Sequence, residues 1–180
     1  MTPRANRPIA LVGLMGAGKS AVARVLGERL GASVADLDAM IEAVEGCTVA
    51  ELFERSGEAW FRRGESDLLA EVLRSGVRII ACGGGIVLDP ERRRQLRERC
   101  RVVWLEVTPR TAARRVAGGD GDPARVRPLL AGGKAEARLA ALLEQRAPLY
   151  AEVAELRIPT DALTPEQVAE RILGPRSGAS

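Results

Sequence analysis

Histidine is absent from the 180-residue chain, and the three cysteines, Cys47, Cys82 and Cys100, are widely spaced and odd in number. Together these facts exclude a disulfide framework and a Cys/His metal site, and they make a reducing cytoplasm the expected location. Aromatic residues reach only 3%. A core must therefore be assembled from Val, Leu, Ile and Ala, and no aromatic platform is at hand for stacking nucleic-acid bases. No apolar run approaches the roughly 18 residues that cross a bilayer, and the first one, Pro8–Val12, is too short for a secretory leader. The expectation is a protein that binds neither membrane nor nucleic acid. The formal charge of +3 does not oppose this, because arginine is intermixed with Glu and Asp without a long basic run. No internal repeat is visible.

What the chain does contain is enough apolar residue, 46%, for one core in a single domain spanning 1–180. Short apolar runs alternate with amphipathic stretches, the signature of a parallel sheet wrapped by helices. Strands are expected at Ile9–Val12, Ser33–Leu37, Arg78–Cys82, Arg101–Val107 and Leu156–Ile158. Helix starts are written in Thr48 with Glu51, a capping box, and in Asp89-Pro90, Thr108-Pro109 and Thr164-Pro165, each an N-cap followed by proline at the first helical position. Gly31 and Gly174 read as helix stops, and 175–180 as a frayed tail. The stretch from Gly118 to Gly133 fits no element. Glycines bracket it and Arg125 and Arg127 lie inside, which suggests a mobile lid that closes over phosphates.

The strongest local signal is Gly13-Leu-Met-Gly-Ala-Gly-Lys19-Ser20, which fits G-x-x-x-x-G-K-[ST] between a strand and a helix. Such a loop curls so that backbone N–H groups, from Gly16, Ala17, Gly18, Lys19, Ser20 and Ala21, face phosphate oxygens at a helix N-terminus. Lys19 would reach the β- and γ-phosphates and the Ser20 hydroxyl would ligate Mg²⁺. The motif alone specifies nucleotide binding. A guanine-reading Asn-Lys-x-Asp is missing, and motor ATPases are larger, so a compact kinase of the nucleoside-monophosphate-kinase type is the expected class.

Four further features bear on the acceptor. Asp36 and Asp38 end the second expected strand two residues apart, so both carboxylates would face the cleft. One could hold Mg²⁺ and the other orient a hydroxyl or take its proton. Arg62 and Glu65 share a helix face, which by itself could be a surface ion pair. Gly83, Gly84 and Gly85 end the third strand and would let a substrate press against bare backbone. Arg146, in Gln145-Arg-Ala-Pro-Leu-Tyr150, falls near an expected helix end.

In their order and spacing, GLMGAGKS, DLD, FRRGE, GGG, RPLL and QRAPLY resemble the shikimate kinase family over about residues 9–173. The resemblance implies a three-layer α/β P-loop kinase fold with a five-stranded parallel sheet and a lid. It also implies ATP-dependent phosphorylation of the shikimate 3-hydroxyl in the chorismate route to aromatic amino acids. By position, Asp38 would bind the ring hydroxyls and act as base, and Arg62 and Arg146 would clamp the substrate carboxylate. The three glycines would offer backbone contacts, Arg127 would stabilise transferring charge, Asp36 would join Ser20 at Mg²⁺, and Arg115 would pack on the adenine face. The protein would act as a monomer on small molecules. Gly64, Cys82 and Leu163 depart from the family pattern without removing a catalytic group. A gluconate-type kinase on the same scaffold, or a nucleotide-binding regulatory module without turnover, are the competing readings. GGG with RAPLY opposes the first, and retention of Lys19, Asp36, Asp38 and Arg127 opposes the second.

Overall fold

A computed structural model describes residues 7–118 and 134–174. The expected lid beyond Gly118, with Arg125 and Arg127, and the expected frayed tail lie outside the described residues. The five strands are β1 (Ile9–Val12), β2 (Val34–Asp36), β3 (Ile79–Ala81), β4 (Arg101–Glu106) and β5 (Leu156–Pro159). They form one sheet in the order β2-β3-β1-β4-β5, with every pairing parallel. Ile9 stands beside Ile79 on one side and Arg101 on the other, so β1 is central and its carboxyl end opens between two neighbours. In parallel sheets that end is where ligands bind, at the point where the strand order reverses.

Helices cover both faces, and the two-residue period of the strands divides the core accordingly. Leu11, Ile79, Ala81, Val103 and Leu105 point to one face. There they meet Val22, Ala23 and Leu26 of α1 (Lys19–Leu30) and Val168, Ala169 and Ile172 of α8 (Pro165–Leu173). Ala10, Val12, Ile80, Val102 and Trp104 point to the other. They pack on Leu69 and Val72 of α4 (Glu58–Ser75), Leu96 of α5 (Pro90–Arg99) and Tyr150 and Val153 of α7 (Ala135–Val153). A smaller cluster of Ile41, Val49, Leu52 and Phe61 joins α2 (Leu37–Glu45), α3 (Val49–Ser56) and α4 beside the sheet's β2 edge. The last helix, α6, runs over Pro109–Gly118.

The caps are those the sequence announces. Thr48 and Glu51 form a reciprocal capping box, as do Thr164 and Gln167, and Asp89 accepts from the Glu91 N–H ahead of α5. Two expectations need correction. The second strand stops at Asp36 rather than Leu37, because the Asp36 carboxylate accepts from the Ala39 N–H and starts α2 at Leu37. Asp36 and Asp38 are therefore an N-cap and a first-turn residue, not two positions on one strand. Arg146 is not near a helix end either: α7 continues through Pro148 to Val153. Proline inside a helix costs about 3 kcal/mol, and burial of Tyr150 and Val153 beyond it offsets that loss.

Candidate active site

The cleft lies above the carboxyl ends of β1 and β3 and has a volume of about 380 Å³. Its floor is the phosphate loop. Gly13 (φ 141°) and Gly16 (φ 78°) hold conformations that side chains rarely adopt. A Cβ on Gly13 would overlap the Leu105 carbonyl oxygen, and one on Gly16 would lie 2.8 Å from the Ala112 carbonyl oxygen. The loop is thus pressed onto β4 and α6, and the path of its backbone is fixed by contacts that only glycine permits. Gly18 leads into α1 without a side-chain cap, so the first N–H groups of that helix are open to an anion. Lys19 folds back over the loop, donating to the Gly13 carbonyl at 3.0 Å and the Leu14 carbonyl at 3.1 Å.

Gly16, Ala17, Gly18, Lys19, Ser20 and Ala21 all line the cleft, and so do Asp36, Asp38, Gly84 and Arg115. The expected nucleotide loop therefore shares one space with two of the expected acceptor residues, Asp38 and Gly84, while Arg62, Gly83, Gly85 and Arg146 are not part of its lining. Asp36 keeps a carboxylate oxygen beyond the one used in capping. Among the described residues no group of three or more Cys, Asp or Glu side chains could cage a metal by itself. The donor set of one hydroxyl and nearby carboxylates instead suits Mg²⁺ that arrives on a triphosphate and keeps most of its water.

Arg62, Gly83, Gly85 and Arg146 form the wall behind Gly84. Arg62 donates to Glu65 at 2.8 Å and lies over the rings of Phe53 and Phe61, at 5.7 Å and 5.3 Å from their centroids. Glu65 is 1% exposed, so this pair is no surface ornament. The glycines explain how it fits. A Cβ on Gly85 would overlap the Arg62 guanidinium, and one on Gly83 would overlap Glu65 and approach an Asp38 oxygen to 2.7 Å. The outer two glycines make room for protein side chains. Arg146 donates to the Gly84 carbonyl at 3.2 Å, and Tyr150 donates to the same oxygen.

Three residues of this wall and its far end carry no strong sequence signal. Glu65 reads as half of an ordinary helix pair, and Tyr150 as a core aromatic. Thr160, 2% exposed, is the third. Arg115 donates to the Thr160 carbonyl at 2.7 Å and to the Gly16 carbonyl at 3.2 Å, tying the phosphate loop to the turn after β5. Its guanidinium is held at the mouth of the cleft by these in-plane bonds. Beyond it, Leu163, Pro165 and Val168 give the cleft an apolar side. Arg127 is the one expected site residue outside the described residues.

The shikimate kinase family model matches residues 15–174. A shikimate kinase from Gloeobacter violaceus is 47% identical, covering 91% of this chain and 88% of its own. One from Symbiobacterium thermophilum is 44% identical over 92% and 93%, respectively. Among solved structures, shikimate kinase from Acinetobacter baumannii in complex with shikimate superposes with a TM-score of 0.85 at 36% identity, covering 94% of this chain and 92% of that one.

Proposed function

The chain belongs to the shikimate kinase family, and from that premise we propose how its residues phosphorylate the 3-hydroxyl of shikimate with ATP, giving shikimate 3-phosphate and ADP. The enzyme is a small-molecule kinase of the chorismate route. The observation that carries the assignment of roles is that the phosphate loop, Asp38 and Gly84 face one cleft.

ATP would lay its phosphates along the backbone N–H groups of Gly16–Ala21, and Lys19 would exchange the Gly13 and Leu14 carbonyls for β- and γ-phosphate oxygens. The apolar side made by Leu163, Pro165 and Val168 suits the base. Arg115 would hold the two loops that border the nucleotide. The Ser20 hydroxyl and Asp36 would hold Mg²⁺ with the triphosphate. When bound, that ion supplies positive charge to the phosphoryl oxygens. Arg127, from the glycine-bracketed segment, would add a cationic donor as charge builds on the transferring group.

Shikimate would enter on the side of Gly84. Its carboxylate would be taken by Arg62 and Arg146, whose planar guanidinium groups suit bidentate pairing. Its hydroxyls would meet Asp38 and the backbone at Gly83–Gly85. Asp38 would accept the proton of the 3-hydroxyl as that oxygen bonds to the γ-phosphorus, while the bond from phosphorus to the ADP oxygen breaks. The enzyme would work as a monomeric, single-unit protein in the cytoplasm, with no nucleic-acid or membrane partner. No helix among the described residues is long and apolar enough to cross a membrane.

The test is ADP release by purified protein with Mg-ATP alone, with shikimate and with gluconate. Release is expected only with shikimate. Equal release with gluconate, or none with either despite ATP binding, would overturn the acceptor assignment.

A further inference from the structure

Tyr150 is the single tyrosine of the chain and its side chain is fully buried. It sits one helical turn after Arg146 on α7, so the two share a face. Both converge on one atom. The Tyr150 hydroxyl donates to the Gly84 carbonyl oxygen at 2.5 Å, and Arg146 Nη1 donates to it at 3.2 Å. The ring is packed against Trp104 at 5.7 Å between centroids, so the hydroxyl is held in place by the core of that face. Burial pushes the phenol up to about 12, which keeps it a protonated donor at any working pH.

The two donors are not equivalent. Arg146 is the longer and less buried of the pair, and its Nε, although buried, finds no hydrogen-bond partner among the described residues. Among the described residues the guanidinium is held only around this shared point, by the Gly84 carbonyl and the Tyr150 hydroxyl, so it can turn toward a better acceptor. Turning has a consequence at Gly84, which is buried. A buried carbonyl deprived of its donor loses free energy comparable to a hydrogen bond. If Arg146 were the sole donor, that loss would be charged to every substrate-binding event. Tyr150 removes it, because its bond to Gly84 remains when Arg146 leaves.

We propose that Tyr150 is a positioning residue for the acid substrate: its hydroxyl keeps the Gly84 carbonyl satisfied, so that Arg146 is free to turn onto the carboxylate of shikimate. The inference rests on the reading of Arg146 as a carboxylate clamp. It places no requirement on the nucleotide, since neither Tyr150 nor Arg146 lines the cleft beside the phosphate loop.

The test is a kinetic cycle of wild type, Tyr150→Phe, Arg146→Ala and the double variant, with shikimate and ATP each titrated against ADP release. Phenylalanine keeps the ring and its packing and removes only the hydroxyl. Tyr150→Phe is expected to raise the KM for shikimate about fivefold, the net worth of one buried hydrogen bond, with kcat within about twofold and the KM for ATP unchanged. In the double variant the KM for shikimate is expected to equal that of Arg146→Ala, because Tyr150 acts through a group no longer there. Partial unfolding would lower the active fraction and hence kcat, while leaving both KM values in place, so it does not imitate this result. An unchanged KM for shikimate in Tyr150→Phe, a parallel rise for ATP, or a further rise in the double variant each overturns the proposal. Arg146→Ala with an unchanged KM for shikimate overturns the Arg146 reading itself, and this one with it.

Discussion

Gly85→Ala separates the substrate wall from the fold more cleanly than truncating an arginine does. Gly85 has φ −102° and ψ 1°, a conformation open to alanine, so the substitution brings no backbone strain. Its sole consequence is spatial: the new methyl occupies the position of the Arg62 guanidinium. That guanidinium ends a flexible side chain that is 24% exposed, so it can yield without dragging the backbone along. Yielding loosens the bond to Glu65 and the contacts with the Phe53 and Phe61 rings. Glu65 stays buried with a weaker partner, for a stability loss of about 1–2 kcal/mol after discounting for the solvent open to Arg62. In a chain of this size that corresponds to a Tm lower by roughly 2–8 °C. Substrate binding should suffer more. Losing one charge-assisted carboxylate contact is worth about 1.5–3 kcal/mol, or roughly a tenfold to hundredfold rise in the KM for shikimate. ATP binds against other residues, and its KM should stay within about twofold. Titrating both substrates on the variant below its melting range decides the matter. An unchanged KM for shikimate would remove Arg62 from the acid site, and an equal rise for both substrates would mean that the damage is general.

Asp38→Asn should lower kcat by about a hundredfold or more, the range of a positioned general base, while ATP binding measured by titration persists; near-normal turnover would remove Asp38 from the proton transfer. Arg115→Ala cuts the link between the Gly16 and Thr160 carbonyls and should raise the KM for ATP about five- to thirtyfold with little change for shikimate; the reverse pattern would place Arg115 on the acceptor side. The fourth prediction concerns alkaline stability. Burial pushes the Cys100 thiol from 9.0 up to about 12. The folded protein thus holds a proton that the unfolded chain releases, so stability is full below about pH 9 and falls as pH rises through 9 toward 12. Melting curves of Cys100→Ala should start lower, from lost packing, yet decline less steeply in that window. Parallel declines for the two proteins would refute the assignment.

The parts of this molecule legible in the sequence are those whose cause is local. The phosphate loop is a run of glycines and a lysine between an apolar strand and a helix, and each capping box lies within four consecutive residues. Even the misplaced boundary at Asp36 has a local cause. An aspartate three residues before a free N–H competes with the strand's two-residue period, and the cap prevailed because the chain had reached the end of the sheet. The helix end expected near Arg146 fails for the opposite reason: the local preference of Pro148 is outweighed by core packing farther along α7.

The substrate wall has no local cause. Arg62 with Glu65 has the spacing of an ordinary helix surface pair, and the three glycines read as open backbone waiting for a ligand. Only the parallel crossover that pairs β3 with β1 and β2 brings the glycines against that pair, where Gly83 makes room for Glu65 and Gly85 for Arg62. Then α7 arrives from the far end of the chain and lays Arg146 and Tyr150 on the glycine between them. The middle glycine thus presents its backbone while its neighbours seat the groups around it. It follows that these positions are not interchangeable. A methyl at Gly84 would come no closer than 3.4 Å to the Gly13 carbonyl oxygen. At Gly83 or Gly85 it would displace a charged partner, so the outer glycines are the stricter requirement for the wall's geometry.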